Sequence, residues 1–203
     1  MGSFVERLKR AQASYELVRV SRVLGDADPV EGYVVDVGER WVLVAVLDAS
    51  VVVDGFVAVP IADIARVKTR RGSREFVERA LRLHDEWPPA PPAATISLDD
   101  LVPLVRSAAR EYPTITIHIE GREPDVCFIG IPVKFGRRSL RLLEVDPNAE
   151  WWDRSRKWAW SDITRVDFGG RYERTLFEVA GTPPSDRLPL DWQYPLERNG
   201  MRD

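Results

Sequence analysis

A chain of 203 residues with 44% hydrophobic side chains is long enough for one ordinary domain, or for two small ones with real cores. Its 29 Lys and Arg stand against 32 Asp and Glu, a net charge of −3, so nothing in the global balance draws it to nucleic acid or to an anionic membrane, and any such contact must be local. One cysteine and two histidines exclude a disulfide framework and a Cys/His zinc finger. The charged start "MGSFVERLKRAQASYEL" is no signal peptide, Glu6 stands where myristoylation prefers Ser or Thr, and no window reaches the roughly 18 apolar residues of a membrane span; the reading is a cytoplasmic protein with no membrane partner and no cofactor.

The spacing predicts a short helix over 4–13, then a strand in "YELVRVSRVL" and a β-rich stretch "VEGYVVDVG" with a central glycine. "WVLVAVLD", "FVAVPI" and the Asp-Ile run "ADIARVKT" follow as further short strands. "SREFVERALRLH" gathers Phe76, Val77, Ala80, Leu81 and His84 into a helical stripe opened by Ser73. Residues 85–97, "DEWPPAPPAATIS", read as a Pro-rich, extended linker. Beyond it, "SLDDLVPLVRSAAREYP" sets Leu101, Val102, Val105, Ala108, Ala109 and Tyr112 at helical spacing, with Pro103 admissible only in the first turn. "TITIHIE" alternates Ile115, Ile117 and Ile119 with Thr114, Thr116, His118 and Glu120, the period of a half-buried strand. The chain closes on an irregular, proline-bearing tail, 181–203.

The two halves repeat each other. Setting "VEGYVVDVGERWVLVAVLDAS" against "FIGIPVKFGRRSLRLLEVDPN" brings Gly32 onto Gly130, Gly38 onto Gly136 and Asp48 onto Asp146 in one gapless register. One residue of slippage later, Asp63, Ile64, Arg66 and Val67 meet Asp162, Ile163, Arg165 and Val166, and "ERAL" meets "ERTL". The organisation read from this is a first unit over 1–84, the linker 85–97, a second unit over 98–180 and the tail. Five short strands in about 55 residues suit a small bent barrel rather than an immunoglobulin-type sandwich.

A helix followed by five short strands, with the run "EGYVVDVG…WVLVAVLD…DGFVAVPIADIARV", resembles the Sm-like small barrel, and the closing "W.W.DITRVDFGG.YE" of the second copy resembles uncharacterised bacterial proteins. The resemblance implies a mainly β, α+β architecture: two tandem five-stranded Sm-like or SH3-like barrels with flanking short helices. It does not carry over a uridine pocket, because neither copy has the family's Asn in the third-strand loop and Arg-Gly in the fourth; Asn148 is the nearest candidate, in one copy only.

Catalytic signatures are not visible. There is no G-x-S-x-G, no G-x-x-x-x-G-K-[ST] and no G-x-G-x-x-G. His84 ends a helix, His118 lies on the polar face of a strand, and Cys127 reads as a small buried hydrophobe. Asp146, Glu150, Asp153 and Asp162 form an acidic cluster for which turn-forming roles outweigh acid–base or metal chemistry. In the repeated motif, Asp63 and Asp162 are read as accepting backbone N–H groups at the last turn. Ile64 and Ile163 are read as plugging the core, and Arg66 and Arg165 as pointing out or pairing with a carboxylate. Arg70, Arg71, Arg137 and Arg138, in the basic stretches 68–74 and 134–141, with Trp151 and Trp152, are the candidate binding residues. The function expected is a non-enzymatic binding or assembly scaffold, joined to a protein partner or to itself through strand edges and exposed aromatics; weak RNA contact through the basic loops is the alternative.

Overall fold

Ser3 opens the first helix, α1 (Phe4–Ala13), with a reciprocal cap: its hydroxyl accepts from the Glu6 amide, and the Glu6 carboxylate accepts from the Ser3 amide at 2.8 Å. Leu8 and Ala11, three apart, are the buried positions of that helix. The computed structural model describes residues 3–25, 27–70, 72 and 74–188. Arg71, Ser73 and the part of the tail from 189 onward, with Leu190, Trp192 and Tyr194, lie outside the described residues. The protein is mainly β, with antiparallel strands and four helices among the described residues, and divides into two units, Met1–Asp100 and Leu101–Asp203.

In the first unit, α1 is followed by β1 (Leu17–Arg22), β2 (Val30–Val37), β3 (Trp41–Leu47), β4 (Val53–Pro60), a 3-10 turn (Ile61–Asp63), β5 (Ile64–Thr69) and α2 (Arg74–Leu83). The strand order is β5-β1-β2-β3-β4, so the fifth strand returns to the side of the first. Val18, Val20, Val34, Val42, Val44, Val57, Val59 and Ile64 pack with Leu8 and Ala11 of α1. A second cluster joins Leu17 and Tyr33 to Val77 and Leu81 of α2. Phe76, expected on that stripe, is 65% exposed; adjacent helical positions are about 100° apart, and Val77 takes the inward one. His84 falls just past the helix, exposed.

The proline-rich stretch is not a free spacer. Trp87 packs edge-on to Tyr33 with ring centroids 5.6 Å apart, the Glu86 carboxylate accepts from the Val53 amide at 2.7 Å, and the Leu98 carbonyl accepts from the Trp41 amide at 3.0 Å. Apolar residues that follow the prolines, Ile96 and Leu98, are buried and bind the segment to the first unit.

The second unit repeats this order: α3 (Leu101–Glu111), β6 (Ile115–His118), β7 (Cys127–Phe135), β8 (Ser139–Glu144), β9 (Arg156–Ala159), a 3-10 turn (Trp160–Asp162), β10 (Arg165–Phe168) and α4 (Arg171–Ala180), with strands in the order β10-β6-β7-β8-β9. Pro103 sits in the first turn of α3, and Leu104 rather than Val102 joins Leu101, Val105 and Ala108 on the buried face. The repeat holds in detail. Both second strands slip register at the matching place, between Val34 and Asp36 and between Pro132 and Lys134. Both following hairpins are tied by the same bond, Gly38 N–H to Trp41 C=O and Gly136 N–H to Ser139 C=O. The fourth strand is where they part: β4 is continuous, whereas its counterpart makes one bridge, Val145 to Trp151, breaks, and resumes as β9. That break is the one-residue slippage of the sequence alignment. Among the described residues neither unit closes its sheet by pairing its fourth strand with its fifth, and no helix is long and apolar enough to cross a membrane.

Candidate binding surfaces

The repeated Asp-Ile motif builds the 3-10 turn and the strand after it. Of the Ile and Val pair expected to plug the core in each copy, Ile64, Ile163 and Val166 are buried, whereas Val67 is half-buried beside the core. The aspartate's role differs from expectation in the second copy: the Asp162 carboxylate accepts from the Arg122 guanidinium at 2.7 Å and from the Ser161 hydroxyl at 3.3 Å, while the Ile163 amide bonds the Trp160 carbonyl instead. Asp63 contributes its own carbonyl to the Val23 amide. Arg66 is exposed. Arg165 grips Asp167 with two bonds, of 2.7 and 2.6 Å.

Asp167 also receives His118 Nε2 at 3.0 Å, and both side chains are only 14% exposed. Burial opposes ionisation of Asp167, but the Arg165 charge and the His118 hydrogen bond outweigh it and hold the carboxyl below its ordinary value. The polar side of β6 is therefore covered rather than solvated: Thr114, Thr116 and Glu120 are buried, with the Thr116 hydroxyl donating to Glu173 of α4 at 2.8 Å and the Glu120 carboxylate accepting from Thr164. Strict alternation predicted a wet face because it carries no sign of the helix that follows. Cys127 departs from expectation the other way. It is exposed at the start of β7, yet desolvated enough on its inner side, and close enough to the carboxylates of Asp167 and Glu173, that its thiol is pushed up in pKa.

The acidic cluster disperses to separate partners. Asp146 accepts the Asn148 and Glu150 amides at 2.9 Å each, which lowers its pKa and makes a tight turn; the Asp48 carboxylate likewise accepts the Ser50 and Val52 amides. Asp153 pairs with Arg187 and Asp162 with Arg122. Among the described residues no three His, Cys, Asp or Glu side chains are grouped to hold a metal. The tryptophans are mostly committed as well. Trp151 donates its indole N–H to the Gly181 carbonyl and meets Phe177 edge-on, Trp158 donates to Glu144, and Trp160 donates to the Gly136 carbonyl. Trp152 is 48% exposed.

The basic residues form two surfaces. In the second unit Lys134, Arg141 and Lys157 stand directly opposite one another across β7, β8 and β9, all exposed, with Arg137 and Arg138 in the adjoining turn. Arg141 bonds the Ser155 carbonyl; none of the five meets a carboxylate among the described residues. Like charges directly opposed on a sheet repel, so this row concentrates unneutralised positive charge on one exposed face. Only the pairing register, with its bulge, lines these residues up, which is why the basic stretch 134–141 gave two of them as candidates and Lys157 escaped notice.

In the first unit β5 is the outermost strand and pairs with β1 alone among the described residues. Arg66 and Lys68 project from one face of it; Arg70, just beyond, pairs with Glu31 at 3.3 Å, as does Arg19 at 3.5 Å. On the other face α1 and β5 enclose a cleft of about 270 Å³ lined by Arg7, Arg10, Glu16, Val67 and Thr69. Glu16 is engaged by the Thr69 hydroxyl at 3.2 Å, and neither arginine has an acid partner among the described residues. Arg7 and Arg10 were not singled out from the sequence; their spacing on the outer side of α1 was the signal.

No protein-family model matches the chain, and no curated protein or solved structure matches it either.

Proposed function

We propose that the chain is a non-enzymatic binding scaffold made of two tandem Sm-like or SH3-like units, which takes up an extended segment of a protein partner along an outer strand. What carries the reading is the exposed edge of β5. The Arg70 amide bonds the Leu17 carbonyl, and Thr69 stands opposite Val18, so by antiparallel alternation Val67 and Thr69 turn their N–H and C=O groups away from β1. An edge of this kind accepts an added strand. Self-association is the less favoured half of the reading, since β9 carries Arg156 and Lys157 and would set them beside Arg66 and Lys68 of a second copy's β5. Light scattering tests this: a monomer at all concentrations is expected at low salt, and a concentration-dependent ring would replace the partner reading with self-assembly.

The second reading, single-stranded nucleic acid on the second unit, is favoured by the unopposed row Lys134, Arg141 and Lys157. Phosphate contacts of this kind weaken steeply with salt. Filter binding at two salt concentrations decides it: retention of single-stranded RNA at low salt, lost on raising salt and in Lys157→Glu, supports the row, and no retention at low salt removes it.

A further inference from the structure

The partner segment at β5 is specified by charge on both of its faces. Successive side chains of a strand point to opposite faces, so a segment laid against Val67 and Thr69 turns alternate residues toward the α1 cleft and the others toward the face bearing Arg66 and Lys68. Arg7 and Arg10 wait in the first direction without acid partners, and Arg66 and Lys68, exposed and likewise without acid partners among the described residues, in the second. A cation lies on either side of one available edge.

We infer that the β5 edge takes a protein segment with an uninterrupted run of Asp and Glu, which pairs with Val67 and Thr69 and sets its carboxylates alternately against Arg7 and Arg10 and against Arg66 and Lys68. This rests on the edge reading above and adds the chemistry of the partner to it. An amphipathic strand, acidic at every second position, satisfies one face only; an apolar strand satisfies neither and leaves the guanidinium groups beside it desolvated. These 203 residues hold no such run, their longest consecutive acids being pairs such as Asp99–Asp100, and the occupant inferred is a segment of a partner protein.

Fluorescence anisotropy on the full chain tests it with three labelled peptides: one with a run of eight acids, one with eight acids alternating with serine, and the first peptide N-methylated at alternate amides. The run is expected to bind at least fivefold tighter than the alternating peptide at low salt, and Arg7→Glu with Arg10→Glu to weaken it about tenfold. Arg110→Glu with Arg154→Glu, two exposed residues of the other unit and the same change of net charge, leaves it unchanged. Equal binding of run and alternating peptides, or indifference to the Arg7 and Arg10 reversal, overturns the inference and leaves the edge reading standing. If N-methylation does not weaken binding, the edge reading fails and the inference with it. Displacement of the peptide by oligouridylate, with the same dependence on Arg7 and Arg10, assigns the surface to nucleic acid instead and overturns the proposal.

Discussion

Replacing Gly130 by alanine tests whether the repeated glycine is there for backbone contact. A Cβ built on Gly130 lies 2.2 Å from the Leu143 carbonyl oxygen and 2.9 Å from the Glu144 Cα, both backbone atoms of the neighbouring strand. Its counterpart Gly32 meets the Ala45 carbonyl at 2.1 Å. No side chain can rotate away to relieve such a contact; β7 and β8 must separate by about 1 Å against a packed core, and overpacking of this kind costs about 1–3 kcal/mol. The lost flexibility of the unfolded chain returns about 0.4–1 kcal/mol, so a net loss near 2 kcal/mol is expected at the upper end of that cost. For a unit of 60–100 residues this is a fall in melting temperature of about 8–16 °C. Scanning calorimetry of Gly130→Ala measures it, with Gly25→Ala, where a Cβ would meet nothing within 4 Å, as the neutral control. A Gly130 variant that melts with the wild type and the control refutes the close-approach argument.

Other consequences follow from single residues. Ala149 sits at φ 63°, in the left-handed region that glycine adopts freely, so Ala149→Gly gains about 0.5–1 kcal/mol in urea titration. Arg165→Ala leaves the Asp167 carboxylate buried with only His118 to answer it and loses about 3 kcal/mol by the same titration, most of which a further Asp167→Asn change restores. Asp167, held below its ordinary pKa, contributes stability that is present above the unfolded carboxylate value and is lost as pH falls through the lower folded one, so Asp167→Asn flattens the acid limb of a stability–pH curve. Glu144 has the opposite sign. Burial raises its pKa although Trp158 and Arg156 favour the anion, so its ionisation weakens the fold as pH rises above the ordinary glutamate range, and Glu144→Gln gains stability at neutral pH but none in acid.

The duplication was legible because glycines and turn aspartates mark backbone needs that outlast side-chain change: Gly32 with Gly130, and Asp48 with Asp146, sit in equivalent places for equivalent reasons. The ends of α1 were legible from the Ser3 and Glu6 cap. Failures came where an outer face was covered by something distant in sequence. Thr116 and Glu120 look solvent-facing until α4 and Arg165 are laid over them, and the proline-rich segment looks like a spacer until Trp87 is seen against Tyr33. The candidate binding residues were legible only as composition. Arg137 and Arg138 were visible as a basic stretch, but their neighbours Lys134, Arg141 and Lys157 become a row only through cross-strand pairing, and Arg7 and Arg10 matter only because β5 ends the sheet beside them.

The break after Trp151 changes what the second copy can be used for. By interrupting its fourth strand it turns the carbonyls of Trp151 and Trp152 toward the Arg187 guanidinium, which takes them at 3.3 and 3.0 Å and adds the Asp153 carboxylate at 3.0 Å. In the first copy β4 runs on unbroken from Val53 to Pro60. One inserted residue therefore gives the two halves different ends: the first keeps a plain strand, and the second fastens the chain that leaves it through Arg187.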